Sequence, residues 1–598
     1  MKTITTAFAA TVAARPDVVA LRAGAGADAP TLTWRDYADG AGRIAGGLAG
    51  LGLRPGERVA LMLRNRPEFH VVDMGILLAG ATPVSLYNSS PPDRIAYVVD
   101  HAGARLAIVE DVFLDRFTAA RALLSGLEKV IVVGTAPRLA TGAPGDLALD
   151  DLLAAPPVDL DSAAAATGTE DLATIIYTSG TTGDPKGVML THGNLTFAVD
   201  TYRTVLGRSL EGLRQISFLP MAHIAERLAT HYFHVCEGSD VTTCDDLTAL
   251  VPTMVTVQPE WFFSAPRLWE KLRGALEAMV AADPARAEAF PALRALGWEV
   301  FLAERDAGGA APALAGEWAD ARQRHVTPLL EKVGLGHVLI ALTGAAPIAR
   351  GTSEFFLSLG VPLSEVWGMS ETAGLGTWSP HRVVPGTVGR PVPGVEIRLV
   401  PVADGGVVDG EGEILVRGPC VFGGYLHDPE RSTEALDAGG WLHTGDIGRF
   451  DEDGNLSIVD RLKDIIVPSS GHNVSPARLE AVLKECPLVG QACVVGDGRA
   501  HVAALVVPDP EMARVWAARH ELGDAPLAVV AAHPDFRAEI DAFVAAVNGT
   551  VPPAERIVAF AVVAEEWLPD SDVLTATAKL KRRAVNTRYA AVIDALYP

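Results

Sequence analysis

Short apolar runs alternate with amphipathic stretches along the first part of the chain. From Val59 the apolar segments VALML, PVSL and LAIVE are separated by the longer segments PEFHVVDMGILLAG and PDRIAYVVDHAG, which read as helical. Strands that alternate with helices in this way are typical of a parallel sheet covered by helices. A second stretch of the same kind begins at Thr174. The pattern therefore predicts an α/β fold.

The hydrophobic pattern changes along the middle of the chain. Residues 135–171 are rich in Ala, Gly, Pro and Asp and predict a connector. Between Arg267 and His325 the segments are long, Ala-rich and amphipathic, which predicts helices. After Gly386 short segments such as EIRLV and GEILVRG predict a small β-rich subdomain.

A separate set of elements is predicted near the C-terminus. From Arg461 the strand-like runs DIIV, QACVVG, HVAALVV and IVAFAVV are joined by a helix from Pro476 through Lys484 and by a helical insertion. We therefore expect a large N-terminal domain over 1–460, built of packed parallel-type α/β subdomains and the small β-rich subdomain. A small α/β C-terminal domain is expected over 461–598.

Composition and charge narrow the class of protein. Among 598 residues, 50 Lys and Arg face 73 Asp and Glu, so the net charge of −23 disfavours binding to nucleic acid. Five scattered cysteines without a C-x-x-C pair predict neither a disulfide framework nor a zinc site and fit a reducing cytoplasm. No run approaches the ~20 apolar residues of a membrane span. We expect a cytoplasmic protein whose membrane contact, if any, is peripheral. Its oligomeric state cannot be read from the sequence.

The densest cluster of small and hydroxyl residues is the string YTSGTTGDPKG, from Tyr177 to Gly187. Hydroxyls and glycines packed this closely leave backbone N–H groups and side-chain donors free to surround an anion, and Lys186 adds a positive charge at the rim. The Walker form of phosphate loop does not fit, because proline precedes Lys186 and glycine follows it. The string predicts a phosphate-binding loop of another kind.

This string closely resembles the signature of the adenylate-forming superfamily of acyl-CoA synthetases, luciferases and peptide-synthetase adenylation domains. Five further segments resemble the later blocks of that superfamily in order along the chain: TGAAP at 343–347, WGMSET at 367–372, WLHTGD at 441–446, the hinge segment at 460–480 and ATAKLKRR at 576–583. Two segments resemble the long-chain fatty acyl-CoA synthetase branch: LPMAHIAER at 219–227 and FFSAPRLWEKL at 262–272.

The resemblance implies a reaction in two steps. A fatty acid carboxylate attacks the ATP α-phosphate and releases pyrophosphate, and the thiol of CoA then attacks the acyl-adenylate and releases AMP. The implied small-molecule partners are a long-chain fatty acid, ATP and CoA, with Mg²⁺ as the metal. A ligase that loads a carrier protein, and a CoA ligase for medium-chain or aryl acids, remain open as alternatives. A luciferase-type oxidation and a nucleotide-binding module without catalysis are less consistent with these segments.

The resemblance also assigns roles to individual residues. The residues expected to be catalytic are Thr178, His223, Glu371 and Lys579, of which Glu371 and Thr178 are expected to hold the metal through oxygen ligands. The residues expected to bind ATP and AMP are Thr178, Ser179, Gly180, Thr181, Thr182, Gly183, Lys186, Gly344, Ala345, Ala346, Pro347, Trp367, Gly368, Ser370, Asp446, Arg461 and Lys579. The expected hinge between the large domain and the mobile small domain is Lys463. The residues expected to contact CoA are Ser470, Gly471, His472 and Asn473.

Simpler interpretations stay open for some of these residues. His223 lies beside apolar residues and is also typical of a structural histidine. Asp446 stands in a Gly-Asp pair, which is common turn chemistry. Trp367 replaces the tyrosine usual in the family; its ring keeps a face for adenine but lacks the phenolic hydroxyl. Lys579 is preferred to Lys581 as the catalytic lysine, although both lie in a basic run that would also suit a solvated tail.

Overall fold

The computed structural model describes residues 2–134, 146–178, 184–402, 410–469, 472, 474–568, 571–575 and 579–597. The first predicted α/β stretch forms a five-stranded sheet whose neighbouring strands are parallel. In spatial order these strands are Thr82–Ser85, Arg58–Met62, Leu106–Glu110, Lys129–Val133 and Leu147–Ala148. The runs VALML and LAIVE therefore form central strands buried on both faces, as continuous rather than alternating hydrophobic segments require, whereas PVSL forms the strand at one end of the sheet.

Two further sheets complete the α/β part of the large region. The second sheet has the spatial order Arg214–Ser217, Asp240–Thr243, Val19–Arg22 and Thr31–Thr33, and only the last pair is antiparallel. The third sheet is entirely parallel and has the order Trp261–Ser264, Ile340–Thr343 and Leu363–Glu365. The strands Leu172–Thr178 and Lys186–Thr191 form a separate antiparallel pair. The connection between these two strands is too short for the crossover that parallel pairing needs.

Helices cover these sheets. The α-helices up to residue 435 are Ile4–Ala14, Trp34–Gly50, Pro67–Leu78, Pro92–Ala102, Leu114–Arg121, Leu149–Leu153, Leu160–Ala165, His192–Leu206, Ile224–Glu226, Phe233–Glu237, Leu250–Val257, Pro266–Ala281, Pro284–Ala307, Pro312–Ala321, Thr327–Glu331, Arg350–Ser358 and Pro429–Ala435. The predicted Ala-rich helices between Arg267 and His325 are among them. No helix of the described residues is long and apolar enough to cross a membrane.

The segment predicted as a connector is partly structured. Within its described residues it contains the strand Leu147–Ala148 and two short helices, and the structure says nothing of 135–145. The segment packs on the helix Trp34–Gly50, where a Cβ at Gly46 would lie 2.3 Å from the carbonyl oxygen of Pro156. Composition predicted only a connector here. The glycines on which this segment packs lie about a hundred residues earlier in the chain, so no local pattern shows the contact.

The β-rich subdomain is confirmed as one antiparallel sheet. Its strands follow one another in space as in sequence: Glu396–Val400, Glu411–Arg417, Leu442–Phe450 and Leu456–Arg461. The last two strands pair Asp446 directly with Arg461. This register brings two residues of separate sequence motifs side by side.

The C-terminal region has its own sheet and core. The strand Val502–Pro508 pairs antiparallel with Val489–Val495 and parallel with Ile557–Val562. The helices around this sheet are Pro476–Leu483, Pro510–Arg519, Leu527–Ala532, Pro534–Asn548, Arg582–Arg588 and Ala590–Asp594. The predicted strand DIIV does not form as such: Ile466 makes only a single bridge to Val474, and Pro468 lacks the N–H that would extend the pairing.

A fully buried charged network anchors the helical stretch that follows His223. Nη2 of Arg227 lies 2.5 Å from Oδ2 of Asp73, and Nε2 of His231 lies 2.9 Å from Oδ1 of the same carboxylate. Arg227 and His231 belong to a π-helical turn, Arg227–Tyr232, a form often found beside functional sites. The attraction between the Arg227 and Asp73 charges offsets part of the free-energy cost of removing them from water.

Candidate active site

The third sheet gathers several of the predicted residues at one edge. The strand Ile340–Thr343 ends directly before Gly344, and Leu363–Glu365 ends two residues before Trp367. Ligands in α/β proteins bind at the carboxyl ends of parallel strands. A Cβ on Gly344 would lie 3.0 Å from the carbonyl oxygen of Val366, so the two segments are in close contact. Ala345 has a φ of 68°, a left-handed backbone that is uncommon outside glycine.

The predicted phosphate loop connects the two strands of the separate hairpin. Thr178 ends one strand and pairs with Lys186, which begins the other. Both residues are partly exposed. The remaining predicted loop residues lie outside the described part of the chain: Ser179, Gly180, Thr181, Thr182 and Gly183. The hairpin therefore fixes the two ends of the loop and the position of its cation.

Glu371 and Lys186 are joined through a tyrosine. The Tyr425 hydroxyl donates a hydrogen bond of 2.9 Å to Oε1 of Glu371, and Nζ of Lys186 lies 4.6 Å from the centre of the Tyr425 ring. Burial raises the pKa of the Glu371 carboxyl, while this hydrogen bond and the charges of Arg461 and Lys186 lower it. Desolvation lowers the pKa of the Lys186 ammonium. The site thus holds a buried carboxylate beside a cation, with one aromatic ring between them.

Asp446 is held from two sides. Nε1 of Trp367 donates a hydrogen bond of 3.0 Å to Oδ2 of Asp446, and Nε of Arg461 lies 3.2 Å from Oδ1. Asp446 and Trp367 are both buried, whereas the Arg461 side chain is about half exposed. A carboxylate oriented by one N–H donor and one ion pair retains lone pairs for further hydroxyl donors. Trp367 therefore contacts Asp446 through its indole N–H, a group that tyrosine lacks.

His223 lies at the N-terminus of a helical stretch, and its Nδ1 accepts the backbone N–H of Ala225 at 3.2 Å. Desolvation, together with a smaller effect of the positive charge of Lys579, lowers the pKa of His223 to about 3. The imidazole is therefore neutral at physiological pH. It can donate or accept a hydrogen bond but does not contribute a positive charge.

Buried Glu226 makes hydrogen bonds to the segment that precedes His223. Its Oε1 accepts the Phe218 N–H at 3.1 Å and the Ser217 hydroxyl at 2.7 Å. Nδ2 of Asn65 donates to the carbonyl oxygen of Leu219 at 2.8 Å and also reaches Glu226 at 3.3 Å. Burial raises the pKa of Glu226 to about 7, against the lowering effect of these hydrogen bonds.

Lys579 brings the C-terminal region into the same site. The Lys579 residue is exposed; desolvation of its ammonium is nevertheless the largest influence on its pKa, which is lowered to about 8. The charge of Arg461 lowers this pKa as well, while Asp446 and Glu371 raise it. The neighbouring Lys581 points elsewhere, since its Nζ donates to the carbonyl oxygen of Ser571 at 2.9 Å. Of the two lysines, Lys579 is the one whose charge interacts with the predicted nucleotide residues.

The other predicted residues fall around this centre. Ser370 is buried, and a Cβ on Gly368 would lie 2.5 Å from the backbone carbon of Gly374, so that position accommodates only glycine. The residues Ala345, Ala346 and Pro347 are exposed at the edge of the third sheet. Lys463 is exposed in a turn after the strand Leu456–Arg461, and its charge acts on Lys186.

Only one of the predicted CoA residues is described by the structure. His472 is exposed, while Ser470, Gly471 and Asn473 lie outside the described residues. The site around Glu371, Asp446 and Lys579 therefore corresponds to the nucleotide part of the prediction.

Two residues of the site, Tyr425 and Glu226, were missed by sequence reasoning. Tyr425 stands in GGYLHDPE, where two glycines precede an aromatic residue four positions before a helix begins at Pro429, a signal that could have marked it. Glu226 belongs to LPMAHIAER, in which only the histidine was singled out. Neither residue type is diagnostic alone, because tyrosine and glutamate are frequent at ordinary positions.

Comparisons with known proteins identify the family to which this chain belongs. The model of the family described as AMP-binding enzyme matches residues 8–426, and that of the AMP-binding enzyme C-terminal domain matches residues 463–598. FadD11 of Mycobacterium tuberculosis is 40% identical over 466 residues, 76% of this chain and 79% of its own. The long-chain-fatty-acid–CoA ligase FadD15 of Mycobacterium bovis is 35% identical over 571 residues, 92% of this chain and 90% of its own.

Solved structures share the fold. The anthranilate CoA ligase AuaEII, solved with anthranoyl-AMP, superposes with a TM-score of 0.76 at 22% identity, covering 99% of this chain and 98% of that one. Both parts of the chain thus match one family in sequence, and the whole chain matches its fold. With Lys186, Glu371, Asp446 and Lys579 gathered in one site, the chain belongs to the family of AMP-binding enzymes.

Proposed function

We propose that this enzyme is an ATP-dependent long-chain fatty acid–CoA ligase. The carrying observation is that the Lys579 ammonium, from the C-terminal region, interacts with Glu371 and Asp446 of the large region. This arrangement places a cation from one part of the chain among the groups expected to hold ATP. The names of the relatives FadD15 and ACSBG2, both long-chain-fatty-acid–CoA ligases, support the substrate class.

In the proposed first step, a carboxylate oxygen of the fatty acid attacks the ATP α-phosphorus. A P–O bond forms, and the bond to the pyrophosphate oxygen breaks with its electron pair leaving on pyrophosphate. Negative charge accumulates on phosphate oxygens, and fixed cations aimed at such charge are the main source of rate in phosphoryl and nucleotidyl transfer. Lys579 and Lys186 are two cations of this chain whose charges act on Glu371.

The residues present also fit a magnesium ion. Mg²⁺ binds through one or two carboxylates plus substrate phosphates and keeps several waters. Glu371 is a buried carboxylate next to the hairpin that begins and ends the phosphate loop, and Thr178 offers a hydroxyl at the end of that hairpin. Among the residues with described positions, no cluster of three or more potential ligands is found. This single carboxylate suits a metal ion that is held partly by ATP itself. When bound, Mg²⁺ would neutralise phosphate charge.

His223 has a different part in this proposal. Because its pKa lies near 3, it does not act as a cation or as a strong base at pH 7. A neutral imidazole held by Ala225 can orient the carboxylate end of the substrate through a hydrogen bond. Asp446 would accept hydrogen bonds from the ribose hydroxyls while Trp367 and Arg461 hold it in place.

In the proposed second step, the CoA thiolate attacks the acyl carbonyl carbon, the thiol proton passes to solvent, and the C–O bond to AMP breaks. We place the domain boundary between residues 460 and 461, with Lys463 as the hinge about which the C-terminal domain turns between the steps. Ser470, Gly471, His472 and Asn473 are then proposed to line the approach of CoA. The protein is proposed to be cytoplasmic, with any membrane contact peripheral.

One substrate panel tests this function. Purified enzyme with ATP and Mg²⁺ is given saturated carboxylates from acetate to a chain of about 20 carbons, together with benzoate and amino acids, each with and without CoA. Apolar burial of about 0.8 kcal/mol per CH₂ should make long chains the best substrates in kcat/KM. Acyl-CoA and AMP should accumulate only with CoA. A best rate with benzoate or medium chains, or acyl-AMP that CoA does not consume, would replace the proposal with one of its alternatives.

A further inference from the structure

The large and C-terminal regions also meet away from the nucleotide residues, along one face of the helix Pro266–Ala281. Arg267 forms an ion pair with Asp509, and Nζ of Lys271 lies 3.1 Å from Oε2 of Glu511. Residues four apart lie on the same face of a helix, so the two cations form consecutive steps of one row. The helix thus presents positive charge to the C-terminal region over two successive turns.

A third carboxylate extends this contact. The Glu485 carboxylate lies beside Gly351, where a Cβ would come within 3.3 Å of its Oε2, and the positive charge of Arg273 acts on the same carboxylate. Glu485 is half-buried, and this burial raises the pKa of its carboxyl. We name Arg267 and Lys271 the basic row. We name Asp509 and Glu511 the acidic row.

The two carboxylate oxygens of Asp509 make different contacts. Oδ1 accepts the backbone N–H groups of Glu511 and Met512, both at 3.0 Å, and so caps the helix Pro510–Arg519. Oδ2 pairs with Arg267. Asparagine caps helices as well as aspartate does. An Asp509→Asn change therefore removes the charge from the interface while keeping the helix cap.

The location of the helix connects these ion pairs to the site. The strand Trp261–Ser264 ends at the same edge of the third sheet as the strands that precede Gly344 and Trp367, and the helix begins at Pro266. The acidic row belongs to the same region of the chain as Lys579. Docking of that row on the helix thus fixes a second point of the C-terminal region, apart from the connection at residue 461.

We propose that the basic and acidic rows are positioning residues for adenylation: their ion pairs hold the C-terminal region where the charge of the Lys579 ammonium acts on Glu371 and Asp446. This inference rests on the proposed function, because it assigns the rows to its first step. The rows do not touch the reacting atoms. Their loss should impair acyl-AMP formation and spare the reaction of acyl-AMP with CoA.

Single-turnover assays of the two half-reactions provide the first test. Asp509→Asn and Arg267→Gln should each slow pyrophosphate release from ATP and fatty acid by about tenfold, the size expected for one half-buried charge pair. Thioester formation from synthetic acyl-AMP and CoA should stay within about threefold of the unmodified enzyme. Apart from its effect on positioning for adenylation, the loss of one partly exposed ion pair changes the free energy little. Equal loss in both assays, or no loss in either, overturns the proposal.

A charge exchange at the exposed pair separates positioning from general disruption. Lys271→Glu and Glu511→Lys should each slow pyrophosphate release, and the double variant should restore most of the rate because the attraction returns with reversed sign. Arg324→Glu changes the net charge by the same amount at an exposed pair with Asp320 on another helix, and should have no effect. A double variant as slow as the single ones, or an equal effect of Arg324→Glu, contradicts the inference.

A readout without catalysis distinguishes failure of this inference from failure of the proposed function. Small-angle scattering of the unliganded enzyme at low salt should match the docked arrangement, and Lys271→Glu combined with Asp509→Asn should broaden the distance distribution. Salt near ~0.5 M should do the same, since it screens exposed charges. If no fatty acid supports pyrophosphate release, the proposed function fails whatever the scattering shows. If scattering is unchanged by the variants and by salt, the rows do not hold the C-terminal region.

Discussion

The hydroxyl of Tyr425 donates a hydrogen bond to Oε1 of Glu371 across 2.9 Å, although the two residues are 54 positions apart in the chain. The same ring lies beside the Lys186 ammonium. Tyr425 therefore orients the proposed metal ligand and one of the proposed phosphate cations together. Removing the hydroxyl alone separates these two effects.

Tyr425→Phe should slow adenylation by about tenfold to a hundredfold, because a hydrogen bond to a charged group is worth ~1.5–3 kcal/mol. The ring beside Lys186 is kept, so the KM for ATP should change less than the Mg²⁺ concentration that gives half-maximal rate. Pyrophosphate release at several Mg²⁺ concentrations measures both. Tyr597→Phe removes a hydroxyl that donates to the Val495 carbonyl within the C-terminal region and serves as the control. An equal effect of the two changes would remove the special role of Tyr425.

The cation from the C-terminal region is tested by Lys579→Ala. Loss of one donor aimed at transition-state charge costs ~10²–10³ in rate, so pyrophosphate release should fall by that factor. Supplied acyl-AMP should still react with CoA. Lys581→Ala is the matched control, since its Nζ contacts only the Ser571 carbonyl among the hydrogen bonds of the described residues. If Lys581→Ala impairs adenylation more than Lys579→Ala, the two lysines have been assigned the wrong way round.

The lowered pKa of Lys579 predicts an alkaline limit on adenylation. The ammonium is present below its pKa of about 8 and is lost as the pH rises through that value. Pyrophosphate release by the unmodified enzyme should therefore decline above about pH 8. Lys579→Arg keeps its charge to far higher pH, so its rate, although lower, should show no such decline. If the rate of pyrophosphate release by Lys579→Arg still declines above about pH 8, the decline is caused by the titration of another residue.

Rotation at the hinge is tested by Lys463→Pro. Proline fixes φ near −65° and should hinder the backbone change that a hinge residue absorbs. Adenylation should survive, while thioester formation from synthetic acyl-AMP and CoA should fall. The same two single-turnover assays measure this, with Lys463→Ala as the control for loss of the charge. Equal rates for the proline and alanine variants in the second assay would exclude Lys463 as the hinge.

The buried network behind His223 predicts a stability effect. Asp73→Asn leaves the Arg227 guanidinium buried without its charge partner, and breaking a buried pair from one side costs ~3–5 kcal/mol. Urea unfolding should show this as a lower free energy of unfolding. Asp320→Asn breaks the exposed pair with Arg324 and should cost less than about 1 kcal/mol. Similar losses for both variants would mean that the buried network contributes no more than a surface ion pair.

The sequence by itself determined the class of the fold and the chemical inventory of the site. Continuous apolar runs such as VALML and LAIVE became the parallel strands Arg58–Met62 and Leu106–Glu110, because burial on both faces leaves a local signature. Lys186, Glu371, Asp446 and Lys579 were identified from short motifs in which each functional residue stands at a fixed place. In the structure the charge of Glu371 interacts with those of Lys186 and Lys579, and Lys579 also interacts with Asp446.

Only the tertiary structure decided which of these groups touch and what holds them. The contact of Tyr425 with Glu371, the carboxylate of Glu226 behind His223, and the ion pair of Arg267 with Asp509 join residues that no local pattern relates. The pKa values of His223 and Lys579 likewise depend on burial and on neighbouring charges from distant segments. Periodicity and motifs report how a residue relates to its neighbours in sequence, whereas contact, desolvation and charge interaction depend on distance in space after the chain has folded.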